Sequence, residues 1–115
     1  SEMCIRDSLY YDKEYLTGFR LSGHAGYADH GQDIVCSAVS VLVINTINAI
    51  EALTTEIVTL NSVKQSEGII DCAFPKRKQG APDEKATLLL EAMLMGLRSV
   101  EQMYGEYIII KNKSL

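Results

Sequence analysis

Residues 33–53, DIVCSAVSVLVINTINAIEAL, decide the fold. Their many β-branched residues would suit a strand by propensity alone. However, a run of about twenty residues is too long for a usual strand. We therefore predict a helix from Asp33 to about Leu53, with Asp33 as its N-cap. Because this helix is apolar almost all round, it should be buried on most sides, in part against a second subunit.

Strand patterns lie on both sides of this helix. A second helix is predicted from the N-cap Asp83 to about Met103, where Gly105 ends it. The strand patterns cover residues 3–11, 14–22, 56–61, 68–74 and 107–110. The order β-β-α-β-β-α-β predicts an α+β class: a single-domain layered sandwich with a mostly antiparallel sheet and two long helices.

Length and charge limit the classes of function. The chain has 115 residues, which suits a single domain over residues 1–115. Eleven basic and 15 acidic residues give a formal charge of −4. This balance argues against general nucleic-acid binding, which needs a basic field, and it permits attraction to a basic protein.

The cysteines and the apolar runs indicate a compartment. The most apolar stretch, Ala38 to Ile50, is broken by serine, asparagine and threonine, so we expect no membrane span. The first residues lack the pattern of a signal peptide. Three scattered cysteines without a CxxC pair make a disulfide scaffold a poor fit. We therefore expect a cytoplasmic protein.

Two other patterns are interpreted as structural. The run Lys76-Arg77-Lys78 is typical of a solvated loop. Leucines and methionines on the second helix have the spacing of core residues. These core positions are Leu88, Leu89, Met93, Leu94 and Met95.

The candidate chemistry is concentrated between residues 23 and 36. His24, Asp29, His30, Asp33 and Cys36 lie within thirteen positions, in a glycine-rich loop and the start of the first helix. A cysteine in the first turn of a helix meets unpaired N–H groups and the positive end of the helix dipole. These favour the nucleophilic thiolate and can hold an oxyanion. The alternative is a buried, inert cysteine, which is how we interpret Cys4 and Cys72.

Two histidines could serve as the base. His24 follows the second predicted strand and would be held rigidly, whereas His30 stands beside Gly31 and is expected to be solvated. Asp33 could orient the imidazole of His24 as well as cap the helix. A zinc site of His24, His30, Cys36 and an aspartate is a third possibility, but the spacing matches no common zinc pattern. We predict no metal and no cofactor.

The segment GHAGYA at 23–28, followed by GQDIVCSAVS at 31–40, resembles the signature of the ribosomal-processing cysteine protease family Prp. The resemblance covers the whole chain, and its specific part is residues 23–40. The family's cysteine corresponds to Cys36, its histidine to His24 and its aspartate to Asp33. Ser37 stands where alanine is common in the family, and we expect no change of mechanism from it.

This resemblance implies a cytoplasmic bacterial endopeptidase. Members remove a short N-terminal extension from large-subunit ribosomal protein number twenty-seven, after an aromatic pair, before or during ribosome assembly. The resemblance also implies a homodimer, and a loop between histidine and cysteine that rearranges around the substrate. We assign the substrate loop accordingly to Gly23, Ala25, Gly26, Gly31 and Ser40.

A second hypothesis remains open at this point. The chain could be a non-enzymatic, ribosome-associated module whose long apolar helix forms a dimer interface and whose loop binds a peptide. It predicts that Cys36 alkylates no faster than Cys4 or Cys72 near neutral pH, whereas a protease predicts faster alkylation.

Overall fold

A computed structural model describes residues 5–12, 15–22, 30–64 and 69–114 of the chain. They form five strands, two long helices and one short helix. In chain order these are β1 (Ile5–Asp12), β2 (Tyr15–Ser22), α1 (His30–Leu53), β3 (Thr59–Lys64), β4 (Ile69–Ala73), α2 (Pro75–Lys78), α3 (Glu84–Met103) and β5 (Ile108–Ser114). This confirms the predicted α+β class and element order, with α2 added.

The five strands form one sheet in the order β3-β4-β2-β1-β5. β1 and β5 are parallel, and the other three neighbouring pairs are antiparallel, as predicted. Phe19 pairs with Leu9 on one side and with Cys72 on the other, and all three side chains are buried. Among the described residues, β3 and β5 are the edges of the sheet.

Both long helices pack on one face of the sheet. In β4 and just after it, Ile70, Cys72 and Phe74 are buried while Ile69 and Asp71 are only partly covered, which is the alternation of a half-buried strand. The buried strand residues form one core with the buried stripes of the helices. These stripes are Val35, Val39, Val43 and Ile50 on α1, and Ala86, Leu90, Met93 and Leu97 on α3.

The two helices lie side by side, with α3 over the β5 side of the sheet. A Cβ atom on Gly96 of α3 would lie 2.7 Å from Leu42 Cδ2 of α1, so glycine allows this close approach. At the other side of α3, the Ile110 N–H of β5 donates to Glu101 Oε2 at 3.0 Å. α1 therefore covers the β2 and β4 side, and β3 lies at the open edge beyond it.

Asp83 is the N-cap of α3, as predicted. Its carboxylate accepts from the Ala86 N–H at 2.9 Å and from Thr55 Oγ1 at 2.7 Å. The hydrogen bond from the Thr55 side chain, followed by that from the Ala86 N–H, lowers the pKa of Asp83 from 3.8 to about 2. The cap thus ties the start of α3 to the segment that follows α1.

The Asp83 cap predicts a pH-dependent stability. Because the folded-state pKa is below the ordinary value, the ionised cap contributes stability above pH 3.8 and loses it as the pH falls towards about 2. We expect Asp83→Ala to be less stable than the wild type at pH 7, with a gap that narrows between pH 4 and pH 2. Urea unfolding of both proteins at several pH values measures this gap. A gap that stays constant over this range would contradict an ionised cap.

Arg77 overturns the prediction of a solvated loop at residues 76–78. This segment is the helix α2, and Arg77 is only 4% exposed. Its Nε donates to the Leu16 carbonyl at 2.8 Å, and its guanidinium also donates to Thr87 Oγ1 at 2.8 Å. The guanidinium lies 3.5 Å from Glu56 Oε1, whose side chain is fully buried. A run of charged residues shows that a segment is polar. It does not show that the Arg77 side chain is buried against β2.

Some of the expected core positions are also wrong. Leu88 and Met95 of α3 are 67% and 73% exposed, because they lie on the face of the helix turned away from the sheet. Met93 is buried, and Leu89 and Leu94 pack at the margin of the core, as predicted. The last strand is buried only at Ile108 and Ile110, and residues 111–114 are exposed.

The expectation of no membrane-length segment needs correction. Residues Ile34–Leu53 are long and apolar enough to cross a membrane by length and composition, although 39% of this segment is buried within the fold. Its buried stripe belongs to the same core as the sheet and α3. We therefore interpret α1 as the core helix of the sandwich, because a buried core helix can be as long and as apolar as a membrane span.

Candidate active site

The candidate nucleophile Cys36 lies in the second turn of α1. The helix begins at His30, three residues before the predicted start, so the prediction that Asp33 is its N-cap is wrong. The sequence predicts a loop for His30, Gly31 and Gln32, whereas these three residues belong to the helix. Cys36 is half-buried and packs against the margin of the core.

This earlier start changes the electrostatics expected at Cys36. The unpaired N–H groups of a helix belong to its first four residues, and the effect of the dipole falls off within the first turn. The predicted position of Cys36 among those groups is therefore wrong. Activation of the thiol depends correspondingly more on a neighbouring base.

The side of α1 that carries Cys36 is not the side that meets α3. Successive helical residues are about 100° apart, so Cys36 and Ser40 lie on one side of the buried Val39 and Leu42 lies on the other. The Leu42 side meets α3. Cys36 and Ser40 consequently face away from α3, and both are half-buried.

Several other predicted site residues lie elsewhere than expected or outside the described chain. Gly31 and Ser40 are in α1, so their assignment to a loop is wrong, while a role in substrate binding stays a prediction. Asp33 lies in the first turn of α1, and its orienting role also stays a prediction. The predicted residues outside the described chain are Gly23, His24, Ala25 and Gly26.

The zinc alternative includes His24, which lies outside the described residues, so it stays open. Over residues 5–12, 15–22, 30–64 and 69–114, no group of three or more histidine, cysteine, aspartate or glutamate side chains has an arrangement that could hold a metal ion. Cys72, interpreted from the sequence as structural, is 1% exposed and belongs to the core, as predicted. Cys4 lies outside the described residues.

Known proteins are similar to this chain both in sequence and in fold. The ribosomal processing cysteine protease Prp of Bacillus subtilis (strain 168) is 34% identical over 96 residues, which are 84% of each chain. The crystal structure of SMU.848 from Streptococcus mutans superposes with a TM-score of 0.84, at 32% identity over 98% of this chain and 97% of that one.

A third relative has been solved with peptides bound. It is an essential ribosomal processing protease Prp from S. aureus in complex with a substrate peptide, with a TM-score of 0.80 at 28% identity. The match covers 95% of this chain and 99% of that one. A second structure of the S. aureus protease contains a covalently linked product peptide.

The similarity in sequence and in α+β fold to proteins named as cysteine proteases places the chain in this class of enzyme. More particularly, residues 4–109 match the model of the family described as cysteine protease Prp, and the chain belongs to this family.

Proposed function

We propose that this chain is a cytoplasmic cysteine endopeptidase that removes the N-terminal extension of large-subunit ribosomal protein number twenty-seven during ribosome assembly. The observation that carries the proposal is the position of Cys36, half-buried on the side of α1 that faces away from α3. Relatives named ribosomal processing cysteine protease support a ribosomal protein as substrate. Family membership favours this enzyme over the non-enzymatic dimerisation module.

The proposed reaction uses Cys36 and His24 as a dyad. The Cys36 sulfur attacks the scissile carbonyl carbon, and His24 takes the thiol proton. His24 then gives this proton to the leaving amine as the C–N bond breaks, which leaves an acyl-enzyme on Cys36. Water hydrolyses the thioester, releases the carboxylate product and restores the thiol. The covalently linked product peptide of the S. aureus relative supports a route of this kind.

The charge of the chain suits a basic protein as substrate. Its formal charge is −4 at pH 7, and ribosomal proteins are generally basic, so long-range attraction would speed their encounter. The same charge opposes direct binding of nucleic acid. In this proposal the enzyme acts on the ribosomal protein chain rather than on RNA.

The proposal includes a homodimer, supported by the outer face of the helical layer. Large apolar side chains are exposed on both helices, among them Val41 at 68% and Met95 at 73%. Between Ile34 and Ile50, α1 has no charged residue. We expect light scattering at micromolar concentration to give about 25 kDa, twice the chain mass of 12.7 kDa. A mass of one chain over this concentration range would contradict the dimer.

A peptide spanning the extension junction tests the function most directly. We expect the wild-type protein to cleave it at one bond, detected by mass spectrometry, and to leave a scrambled peptide intact. His24→Ala should lower kcat/KM by about 10²–10⁴, the usual contribution of a general base. An intact junction peptide after incubation with folded wild-type protein would contradict the proposed function. Full activity of His24→Ala would instead exclude only the proposed base.

A further inference from the structure

The sheet has a second face, opposite the two long helices. Side chains along a strand point alternately to the two faces of a sheet. Leu9 and Phe19 are buried in the core shared with the helices, so the residues next to them in the strands point to the opposite face. On this opposite face Ser8 and Tyr10 of β1 are half-buried, and Arg20 of β2 is exposed.

Strand pairing brings basic residues around Tyr10 on this face. Ser8 pairs with Arg20 of β2 on one side and with Lys111 of β5 on the other. Tyr10, two residues further along β1, pairs with Lys113 of β5. Lys113 is thus a direct neighbour of Tyr10, and Arg20 and Lys111 are its diagonal neighbours. We name the surface formed by Ser8, Tyr10, Arg20, Lys111 and Lys113 the uncovered sheet face.

Positive charge prevails over β1, β2 and β5 on this face. By the register of these strands, four of its positions are basic, namely Arg6, Arg20, Lys111 and Lys113. The acidic position on the same three strands is Asp12, at the end of β1. Asp71 of β4 pairs with Arg20 at 3.4 Å. Lys111 and Lys113 are exposed, and neither is in an ion pair with another described residue.

The formal charge of −4 does not set the field at this face. At physiological ionic strength charges are screened over about 8 Å, so a ligand on the sheet responds mainly to the charges nearest to it. On the β5 side these charges are the two exposed lysines. The uncovered sheet face can therefore attract an anionic ligand, although the charge of the whole molecule opposes general binding of nucleic acid.

From this arrangement we infer that the uncovered sheet face binds a single-stranded nucleic acid. A tyrosine on a sheet offers a ring on which a base can stack, and neighbouring cationic side chains can contact the phosphates. Lysines on an edge strand also prevent sheets from associating, but that purpose needs no aromatic neighbour. Tyr10 among the basic residues therefore favours a nucleic acid over an acidic peptide. The nucleic acid is here a ligand and not the chain that is cleaved, so the inference goes beyond the proposed function and does not depend on it.

Fluorescence anisotropy with a labelled RNA of about ten nucleotides tests the role of the basic residues. Three cations that each neutralise one phosphate predict a slope of log K against log[salt] of about −2. Lys111→Gln combined with Lys113→Gln should reduce this slope to about −0.7 and weaken binding about tenfold. Lys76→Gln combined with Lys85→Gln is the matched control, because it removes the same charge from exposed positions on α2 and α3. This control should leave the affinity within about twofold of the wild type.

Substitution of Tyr10 tests the stacking contact separately from the charges. We expect Tyr10→Leu to weaken binding of the same RNA about tenfold, since it removes the ring. Tyr10→Phe should keep the wild-type affinity, because the ring is retained. Neither change alters a charge, so the salt slope should stay at about −2. Thermal unfolding of each variant checks that the fold is retained.

Probes of other chemistry decide between possible ligands. A DNA strand of the same sequence shows which nucleic acid binds more tightly, and binding of either one supports the inference. A glutamate peptide of the same charge that binds as tightly as both strands would overturn it. Equal weakening by the two lysine pairs, or no binding of RNA or DNA at up to about 100 μM wild-type protein, would overturn it as well. The proposed protease function is unaffected by these outcomes, since cleavage of the junction peptide is measured separately.

Discussion

Cys36→Ala is expected to abolish cleavage of the junction peptide, with a loss in kcat of about 10⁴ or more. Without the sulfur no acyl-enzyme can form, and His24 has no thiol to deprotonate. Because Cys36 is only half-buried, the substitution should change the free energy of unfolding by less than about 1 kcal/mol. Peptide cleavage followed by mass spectrometry, together with urea unfolding, measures both quantities.

Ser37→Ala provides a neighbouring control. Ser37 follows Cys36 on the helix and is exposed, and the resemblance to the Prp family has alanine at this position. We expect this variant to keep wild-type kcat and stability. Cleavage by Cys36→Ala at the wild-type rate would show that another residue is the nucleophile.

Arg77→Met is expected to destabilise the fold by about 3–5 kcal/mol. The substitution would leave the Glu56 carboxylate fully buried without its positive partner, and it would remove the donors to Leu16 and Thr87. Among the described residues, Glu56 Oε2 is already buried without a hydrogen-bond partner, and Oε1 would keep only the Asp83 N–H, which donates to it at 3.3 Å. Urea unfolding of wild type and variant gives the difference.

Two further variants separate charge burial from the loss of a long side chain. Arg20 pairs with Asp71 at 3.4 Å on the sheet surface, with the two side chains 46% and 23% exposed. Arg20→Met should therefore cost no more than about 1 kcal/mol. Adding Glu56→Gln to Arg77→Met should recover part of the lost stability, because it removes the unpaired charge. Equal costs for Arg77→Met and Arg20→Met would contradict the buried ion pair.

The sequence was sufficient to predict the class of fold, because length and alternation are strong local signals. The run from residue 33 to residue 53 is too long for a strand, and the patterns around it alternate with a period of two. Asp83 was recognisable as a cap because Pro82 precedes it and an apolar face follows. Asp33 resembled a cap because an apolar run follows it, but the helix begins three residues earlier.

Features set by tertiary packing could not be predicted in this way. α1 is apolar on nearly every side, so its pattern did not show that Leu42 meets α3 while Cys36 and Ser40 face away from it. Arg77 belongs to a charged run, and it is buried only because the fold places its guanidinium against the Leu16 carbonyl of β2. Leu60 of β3 is 48% exposed because β3 is an edge strand of the described sheet, which the order of the strands determines.

The identity of the candidate dyad came from a motif rather than from periodicity. Cysteine and histidine in a glycine-rich segment indicated nucleophilic chemistry, but spacing alone left a metal site and an inert cysteine open. The GHA and DIVC segments reduced these alternatives to Cys36 and His24 by resemblance. The family match over residues 4–109 then established the class of enzyme.

Labelling with a peptide chloromethyl ketone, built on the residues before the scissile bond, tests most directly whether Cys36 is the nucleophile. The reagent alkylates a thiol that a bound peptide presents to it, and mass spectrometry of the digested protein identifies the modified cysteine. We predict a label on Cys36 that excess junction peptide prevents and that His24→Ala slows strongly. A label on Cys4 or Cys72 with Cys36 unmodified, or no protection by the junction peptide, would contradict the account.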